Sequence, residues 1–150
     1  MFTTCDTLLA STKGDYMRPA TLTRCTAAML SERMIVAGAA ALAPGALLRA
    51  FGIDADEDSP TLRYFARLFG IRNAIMGVLL WQVRDDPRAL ARMAALNAAT
   101  EALDAVAAAV PLATGRTKPS AAAGAIGASV AVGAGFAGLA LAARRASTRA

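Results

Sequence analysis

The chain has 150 residues, of which 56% are hydrophobic, and it carries a formal net charge of +5. Much of the apolar content is Ala and Gly, which bury little area in a soluble core but let membrane helices pack closely, so the composition favours a membrane protein. The sequence has no histidine, and Cys5 and Cys25 do not form a CxxC pair. Both observations argue against a zinc site and against Ser-His or Cys-His catalysis, so we expect no metal and no cofactor.

The basic residues do not form the pattern of a nucleic-acid surface. The sixteen Lys and Arg residues are scattered between apolar runs, and no aromatic residues alternate with them as a stacking platform. We therefore expect no nucleic-acid partner and assign these charges a topological role beside a lipid bilayer.

The first 30 residues form a polar segment. Asp6 and Asp15 precede any apolar run, so the segment lacks the basic start and short apolar block of a signal peptide. We predict that residues 1–30 are disordered or weakly helical.

A first apolar run extends from Met34 to Leu48 and, past Arg49, as far as Ile53. It then approaches the ~20 residues that a bilayer requires. Pro44 should kink this span. Small residues at four-residue spacing predict a smooth strip for a partner helix, namely Ala37, Ala41 and Gly45.

A second helix is predicted from Thr61 to Val83, after the acidic loop 54–58 and a Ser-Pro start signal. Arg72 lies near the middle of this helix, where it cannot easily reach water, unlike Arg63 and Arg67 nearer the helix start. Trp81 lies at the far end, as expected for an indole at the membrane interface.

A third helix is predicted from Arg88 to about Ala113, after the polar turn 84–87. Four polar residues at spacings of three and four share one face of it, namely Asn97, Thr100, Glu101 and Asp104. The fourth span, Ala121–Ala143, has no charge and is the clearest transmembrane segment. The predicted fold is an all-α integral membrane four-helix bundle over residues 31–145, with a basic tail at 146–150.

A GxGxxG motif lies within the fourth span, between Val130 and Gly138. A dinucleotide site would need an acidic ribose ligand about 20 residues later and further βαβ units. Only twelve residues follow Gly138 in this sequence. We therefore interpret the motif as a Gly-rich helix that packs through Gly127, Ala131 and Gly135.

The orientation follows from the basic residues near the span ends. Ten lie on the side of the two termini and the second turn, namely those at 13, 18, 24, 33, 84, 88, 92, 144, 145 and 149. Five lie on the other side, at 49, 63, 67, 116 and 118. We expect a multi-pass protein of the cell membrane with both termini in the cytoplasm.

The carboxylates Glu101 and Asp104 are the candidate catalytic or proton-carrying groups, because an acidic pair in an apolar setting suits general acid chemistry. The alternative is an ion pair that locks two helices together. Counted from Asp86 in the turn, Arg72 and Glu101 differ in depth by roughly 1.5 Å, and Asp104 lies about 6 Å farther away. We predict that Arg72 pairs with Glu101, leaving Asp104 to Asn73, Thr100 or water. The complete predicted polar cluster is Arg72, Asn73, Asn97, Thr100, Glu101 and Asp104.

Two short elements carry a family resemblance. Residues 68–73, Leu-Phe-Gly-Ile-Arg-Asn, with Gly77, are followed by Ala-Leu-Asp-Ala at 102–105. Together they resemble a family of small four-span bacterial membrane proteins of unknown function, over about residues 35–141. The resemblance implies a four-helix membrane bundle and no activity. The family is expected to have Asp more often at the position of Asn73, so this chain has one carboxylate fewer beside Arg72.

Three functions remain open from the sequence. The first is a noncatalytic accessory or self-associating membrane protein, whose partner is a second copy or another membrane protein. The second is a membrane-embedded enzyme, or a proton or small-solute carrier, that uses Arg72, Glu101 and Asp104. The third and most distant is a soluble Ala-rich helical bundle that binds an apolar ligand.

Overall fold

The computed structural model describes residues 19–115 and 119–148, and all the regular secondary structure in this part of the chain is helical. The all-α prediction is therefore confirmed. The five helices, in chain order, are α1 (Pro19–Leu42), α2 (Pro44–Ala50), α3 (Pro60–Gln82), α4 (Pro87–Ala113) and α5 (Pro119–Ser147). Four are long and α2 has only seven residues.

Prolines and capping side chains start α3 and α4. Ser59 accepts a hydrogen bond from the Leu62 amide at 3.2 Å, and Asp86 accepts from the amides of Arg88 and Ala89. Proline suits the first helical position because its fixed φ is helical and its missing N–H has no partner to lose there. The predicted second and third helices agree with α3 and α4 to within one residue at each end.

The first helix differs from the prediction at both ends. It begins at Pro19, so residues 19–30 of the predicted tail are helical, while residues 1–18, 149 and 150 lie outside the described part. The polar segment is helical because Cys25 and Met29 recur at helical spacing and bury themselves in the core. Pro44 does not kink one span but begins a separate helix, since Ala43 leaves the helical conformation at φ −140°.

The long helices pack as two pairs. α1 lies along α3, and α4 lies along α5, whereas the consecutive helices α3 and α4 approach each other only over a short stretch. The main apolar core joins the two pairs, with Met29 from α1, Leu80 from α3, Leu90 from α4, and Phe136 and Leu139 from α5. Backbones of different pairs are thus held together mainly by long side chains.

The α1–α3 contact uses small residues, but not the predicted strip. A Cβ at Gly70 would lie 2.5 Å from the Ala40 Cβ and 3.2 Å from the Ala37 oxygen, so the two backbones approach closely here. Of the predicted strip, Ala37 is buried and Ala41 is exposed. The buried face continues at Ala40, three residues after Ala37, and Ala41 lies beside that face, one residue before the end of α1.

The GxGxxG segment is helical, as interpreted from the sequence, but it packs through other residues. Gly127 and Ala131 are exposed, and only Gly135 of the predicted face packs on α1, against the Met29 sulfur. The buried face of α5 instead combines three large apolar residues with small alanines. Its members include Val132, Phe136, Leu139, Ala140 and Ala143.

Three described helices are long and apolar enough to span a membrane, namely Ala20–Leu42, Pro87–Ala113 and Ala122–Ser147. α3 is not among them, because its arginines lower its hydropathy. These helices are compatible with a multi-pass membrane protein. The predicted four-helix bundle is not matched, because the described part of the chain contains five helices, of which three could span a membrane.

Candidate functional site

Arg33 is the most buried charged residue among the described residues, at 1% exposure. It lies in the middle of α1 and reaches three other helices. Its Nη1 lies 2.6 Å from Oε1 of Glu101 on α4, and it donates at 2.6 Å to the Asn73 side chain on α3. Its guanidinium also covers the Phe136 ring of α5, 4.7 Å from the ring centroid. One side chain thus links all four long helices.

Arg72 and Asp104 form a second pair, between α3 and α4. Nη1 and Nη2 of Arg72 donate to the two carboxylate oxygens of Asp104 at 2.7 and 2.6 Å. This parallel fork is the strongest geometry available to an arginine and a carboxylate. The side chains are 33% and 26% exposed, so this pair lies nearer the surface than Arg33 and Glu101.

The predicted order of pairing is reversed. Arg72 was expected at Glu101, but its Nη2 lies 3.8 Å from that carboxylate and 2.6 Å from Asp104. Depth along two straight neighbouring helices was a poor guide because α3 packs on α1 and not along α4. The long Arg72 side chain crosses the remaining gap to Asp104, and Arg33 forms an ion pair with Glu101. Asp104 is consequently paired and not left to Asn73, Thr100 or water.

Two asparagines complete the inner part of the site. The Asn97 side-chain oxygen accepts from Arg33 Nε at 3.1 Å, and the Asn73 oxygen accepts from Nη1. Each asparagine amide donates to a carbonyl one turn earlier in its own helix, at Met93 and Phe69. Both amides are therefore held with their oxygens toward the guanidinium.

Thr100 belongs less closely to the site than predicted. Its hydroxyl donates to the Leu96 carbonyl of its own helix at 2.9 Å. This intrahelical hydrogen bond satisfies the hydroxyl without help from a neighbouring helix. Asn97, Glu101 and Asp104 therefore carry the polar face of α4.

A third carboxylate, Glu32, extends the arrangement. Its Oε2 lies 3.9 Å from Arg33 Nε and is buried without a hydrogen-bond partner in the described part of the chain. The charged network can now be defined by its five members, in which negative and positive groups alternate: Glu32, Arg33, Glu101, Arg72 and Asp104. With all members ionised, three carboxylates face two guanidiniums.

Hydrogen bonding within the charged network is incomplete. Among the described residues, Arg33 Nη2 and Arg72 Nε are buried donors without an acceptor. Glu101 Oε1 is close to Arg33 but does not meet hydrogen-bond angles, so that contact is an ion pair. The charged network thus combines close ion pairs with buried donors and acceptors that make no hydrogen bond within the described residues.

A partly open cavity of about 270 Å³ lies next to Asp104. Leu48 and Phe51 line it from α2 and the residue after it, Phe65 and Phe69 from α3, and Ser129 from α5. The Phe51 and Phe69 rings meet edge to face with centroids 6.2 Å apart. We call this the aromatic cavity; Asp104 is the charged residue in its lining.

Sequence reasoning missed Arg33 and Glu32, because it assigned Arg33 to the flank of a span that began at Met34. A usable signal was present in the spacing of α1. Leu22, Cys25, Met29, Arg33 and Ala37 follow one another at intervals of three or four, so Arg33 occupies a core position of a helical stripe.

No family model, curated protein or solved structure matches this chain. The resemblance to small four-span bacterial membrane proteins stays a prediction.

Proposed function

We propose that this chain is a small, noncatalytic integral membrane protein, an accessory or self-associating bundle, in which the charged network locks two helix pairs together. The observation that carries the proposal is the distribution of polarity: buried charges lie between the helices, and large apolar side chains cover their outer faces. Soluble proteins bury charge rarely and seldom expose continuous apolar surface.

The outer face of α3 illustrates this distribution. Large apolar residues at alternating spacings of four and three are between 42% and 57% exposed, namely Tyr64, Leu68, Ile71, Ile75 and Val78. α4 likewise exposes Leu103 and Val106. Such faces suit lipid chains, and the heptad-like spacing on α3 also suits a helix of a second copy or of another membrane protein.

The charged network supports a locking role because its closest contacts join different helices. Arg33 connects α1 to α4, and Arg72 connects α3 to α4. An unpaired charge at the bilayer centre costs about 2.5 to 3.5 kcal/mol on insertion scales, so these groups favour the state in which they are paired. Both candidate catalytic carboxylates, Glu101 and Asp104, are engaged in this way.

α3 serves as the fourth span in this proposal, despite its arginines. Arg63, near its start, donates to both oxygens of Asp58 in the preceding loop, at 2.9 Å each. Arg72 is paired with Asp104. At the other end of α3, Arg84 covers the half-exposed Trp81 ring at 3.7 Å, an arrangement suited to a membrane interface.

Membrane extraction and topology reporters test the proposal. The expressed chain should stay with bacterial membranes after an alkaline wash and dissolve only in detergent. Reporters fused at Ala150 and within the loop 54–58 should report the cytoplasm and the opposite side, respectively. Recovery in the supernatant without detergent would overturn membrane insertion, and reporters on the same side would overturn the four-span topology.

A second function, a proton or small-solute carrier, is favoured by the spare buried donors and acceptors and the third carboxylate of the charged network. Asp104→Asn separates it from the noncatalytic function, since Asn keeps the size but cannot exchange a proton. In vesicles containing the purified chain and a trapped pH dye, the carrier function requires a proton leak that Asp104→Asn abolishes at equal protein abundance. The noncatalytic function requires wild-type and variant vesicles to leak no faster than protein-free vesicles.

A further inference from the structure

The aromatic cavity combines apolar walls with one carboxylate. Phe51 and Phe65 offer ring surfaces, Leu48 adds an aliphatic wall, and the Phe69 ring already lies under the Arg72 guanidinium, whose Cζ is 5.2 Å from the ring centroid. Asp104 and Ser129 supply the polar groups of the lining. Aromatic faces attract cations, and ammonium groups in particular, through the negative potential of the ring.

The charge in the lining also favours a cation. Asp104 is the charged residue among those that line the aromatic cavity. A positively charged ligand beside it would gain Coulomb attraction, an anion would be repelled, and a neutral apolar ligand would gain neither.

Arg72 does not prevent such a ligand from reaching Asp104. Its Nη2 is 2.6 Å from Asp104 but only 3.8 Å from Glu101, so a small movement exchanges one carboxylate partner for the other. Glu101 Oε1 is in ion-pair contact with Arg33 Nη1 at 2.6 Å but has no hydrogen bond in the described part of the chain, so it can also accept one from Arg72. A ligand cation could therefore take over part of the Asp104 carboxylate without stranding the guanidinium.

We propose that the aromatic cavity binds a small lipophilic ammonium cation, with the ammonium group between the phenylalanine rings and the Asp104 carboxylate. The inference adds a ligand to the proposed function and does not depend on whether the chain is an accessory protein or a carrier. Ser129 offers a hydroxyl to any polar substituent of that ligand.

The test uses two probes of the same shape and different charge. Benzyltrimethylammonium carries the cation, and neopentylbenzene replaces its nitrogen with carbon. Each is titrated calorimetrically into the full chain in detergent micelles, with protein-free micelles as the blank. The cation should bind and the neutral probe should bind far more weakly. Equal binding of the two probes, or no binding of the cation, would overturn the proposal.

Matched variants locate the site. Phe65→Leu should weaken binding of the cation about two- to fivefold, the size of a cation–π contact at an accessible site. Tyr64→Leu, at the neighbouring exposed ring outside the cavity, should leave the affinity unchanged. Asp104→Asn should weaken binding by at least about tenfold, through loss of the opposite charge.

The comparison of Phe65→Leu with Tyr64→Leu still tests the proposal if Asp104→Asn fails to fold. Phe65 is 61% exposed, so its truncation does not disturb the core. Equal affinities of Phe65→Leu and Tyr64→Leu would place the cation elsewhere and contradict the proposal. Failure of this binding test leaves the membrane extraction result unaffected, so the two proposals fail separately.

Discussion

Arg33 Nη1 lies 2.6 Å from Glu101 Oε1, and the two side chains are 2% and 6% exposed. Two residues from different helix pairs, 68 positions apart in the sequence, thus form the most buried ion pair of the described chain. Removing one partner of such a pair leaves an uncompensated charge, which is more costly than never having had the pair.

Arg33→Gln should lower the free energy of unfolding by about 3 to 5 kcal/mol, because it strands Glu101 in a buried site. Arg24→Gln, an exposed arginine of the same helix, is the matched control and should change stability by less than about 0.5 kcal/mol. Reversible unfolding in detergent, followed by circular dichroism, measures both. Equal losses of unfolding free energy in the two variants would show that the buried Arg33 contributes no more to stability than an exposed arginine.

Glu101→Gln should destabilise the chain more than Asp104→Asn. Glu101 is buried and lies near both arginines, Arg33 at 2.6 Å and Arg72 at 3.8 Å, whereas Asp104 pairs with Arg72 and is 26% exposed. The loss for Asp104→Asn should be about 1.5 to 3 kcal/mol, the range for a hydrogen bond to a charged group. The same unfolding measurement compares the two, and a larger loss for Asp104→Asn would contradict this ranking.

The sequence predicted α3, α4 and the central part of α5. Local residues mark where α3 and α4 begin, namely Ser59 before Pro60 and Asp86 before Pro87. α1 could not be bounded in the same way. Its first part is polar, and it is helical because Cys25 and Met29 pack on helices that are distant in sequence. Burial of this kind is a tertiary effect that overrides local composition.

The composition of the site was predicted better than its pairing. Asn97, Glu101 and Asp104 were expected on one face of α4, and they do lie there. Which carboxylate meets which arginine depends on how α3 packs, and the sequence gives no measure of the gap between α3 and α4. The pairing is decided by a further helix, α1, because it supplies Arg33.

Gly70→Ala should destabilise the chain by about 1 to 3 kcal/mol, since the new methyl group would overlap the Ala40 side chain. Gly127→Ala is the matched control on α5, where a Cβ meets nothing within 4 Å. It should be neutral, or stabilising by up to about 1 kcal/mol, because alanine favours the helix. Thermal unfolding in detergent distinguishes them, and tolerance of Gly70→Ala would refute the close α1–α3 contact.

Asp58 should stay ionised below pH 3.8. Hydrogen bonds from Arg63, aided by the charges of Arg63 and Arg49, lower the pKa of this loop carboxyl below its ordinary value of 3.8, although burial opposes the shift. Its contribution to stability is therefore complete above the unfolded value and is lost as the pH falls through the lower folded pKa. A carbon-13 NMR titration of the side chain measures this, and Arg63→Gln should return the pKa toward 3.8.

The central claim is that the charged network holds the two helix pairs together, and a double-mutant cycle on Arg33 and Glu101 tests it most directly. Arg33→Met, Glu101→Leu and the double variant are unfolded in the same detergent. We expect each single variant to be strongly destabilised and the double variant to recover much of the loss, giving a coupling energy of at least about 1 kcal/mol. Additive losses, with coupling below about 0.3 kcal/mol, would contradict the claim.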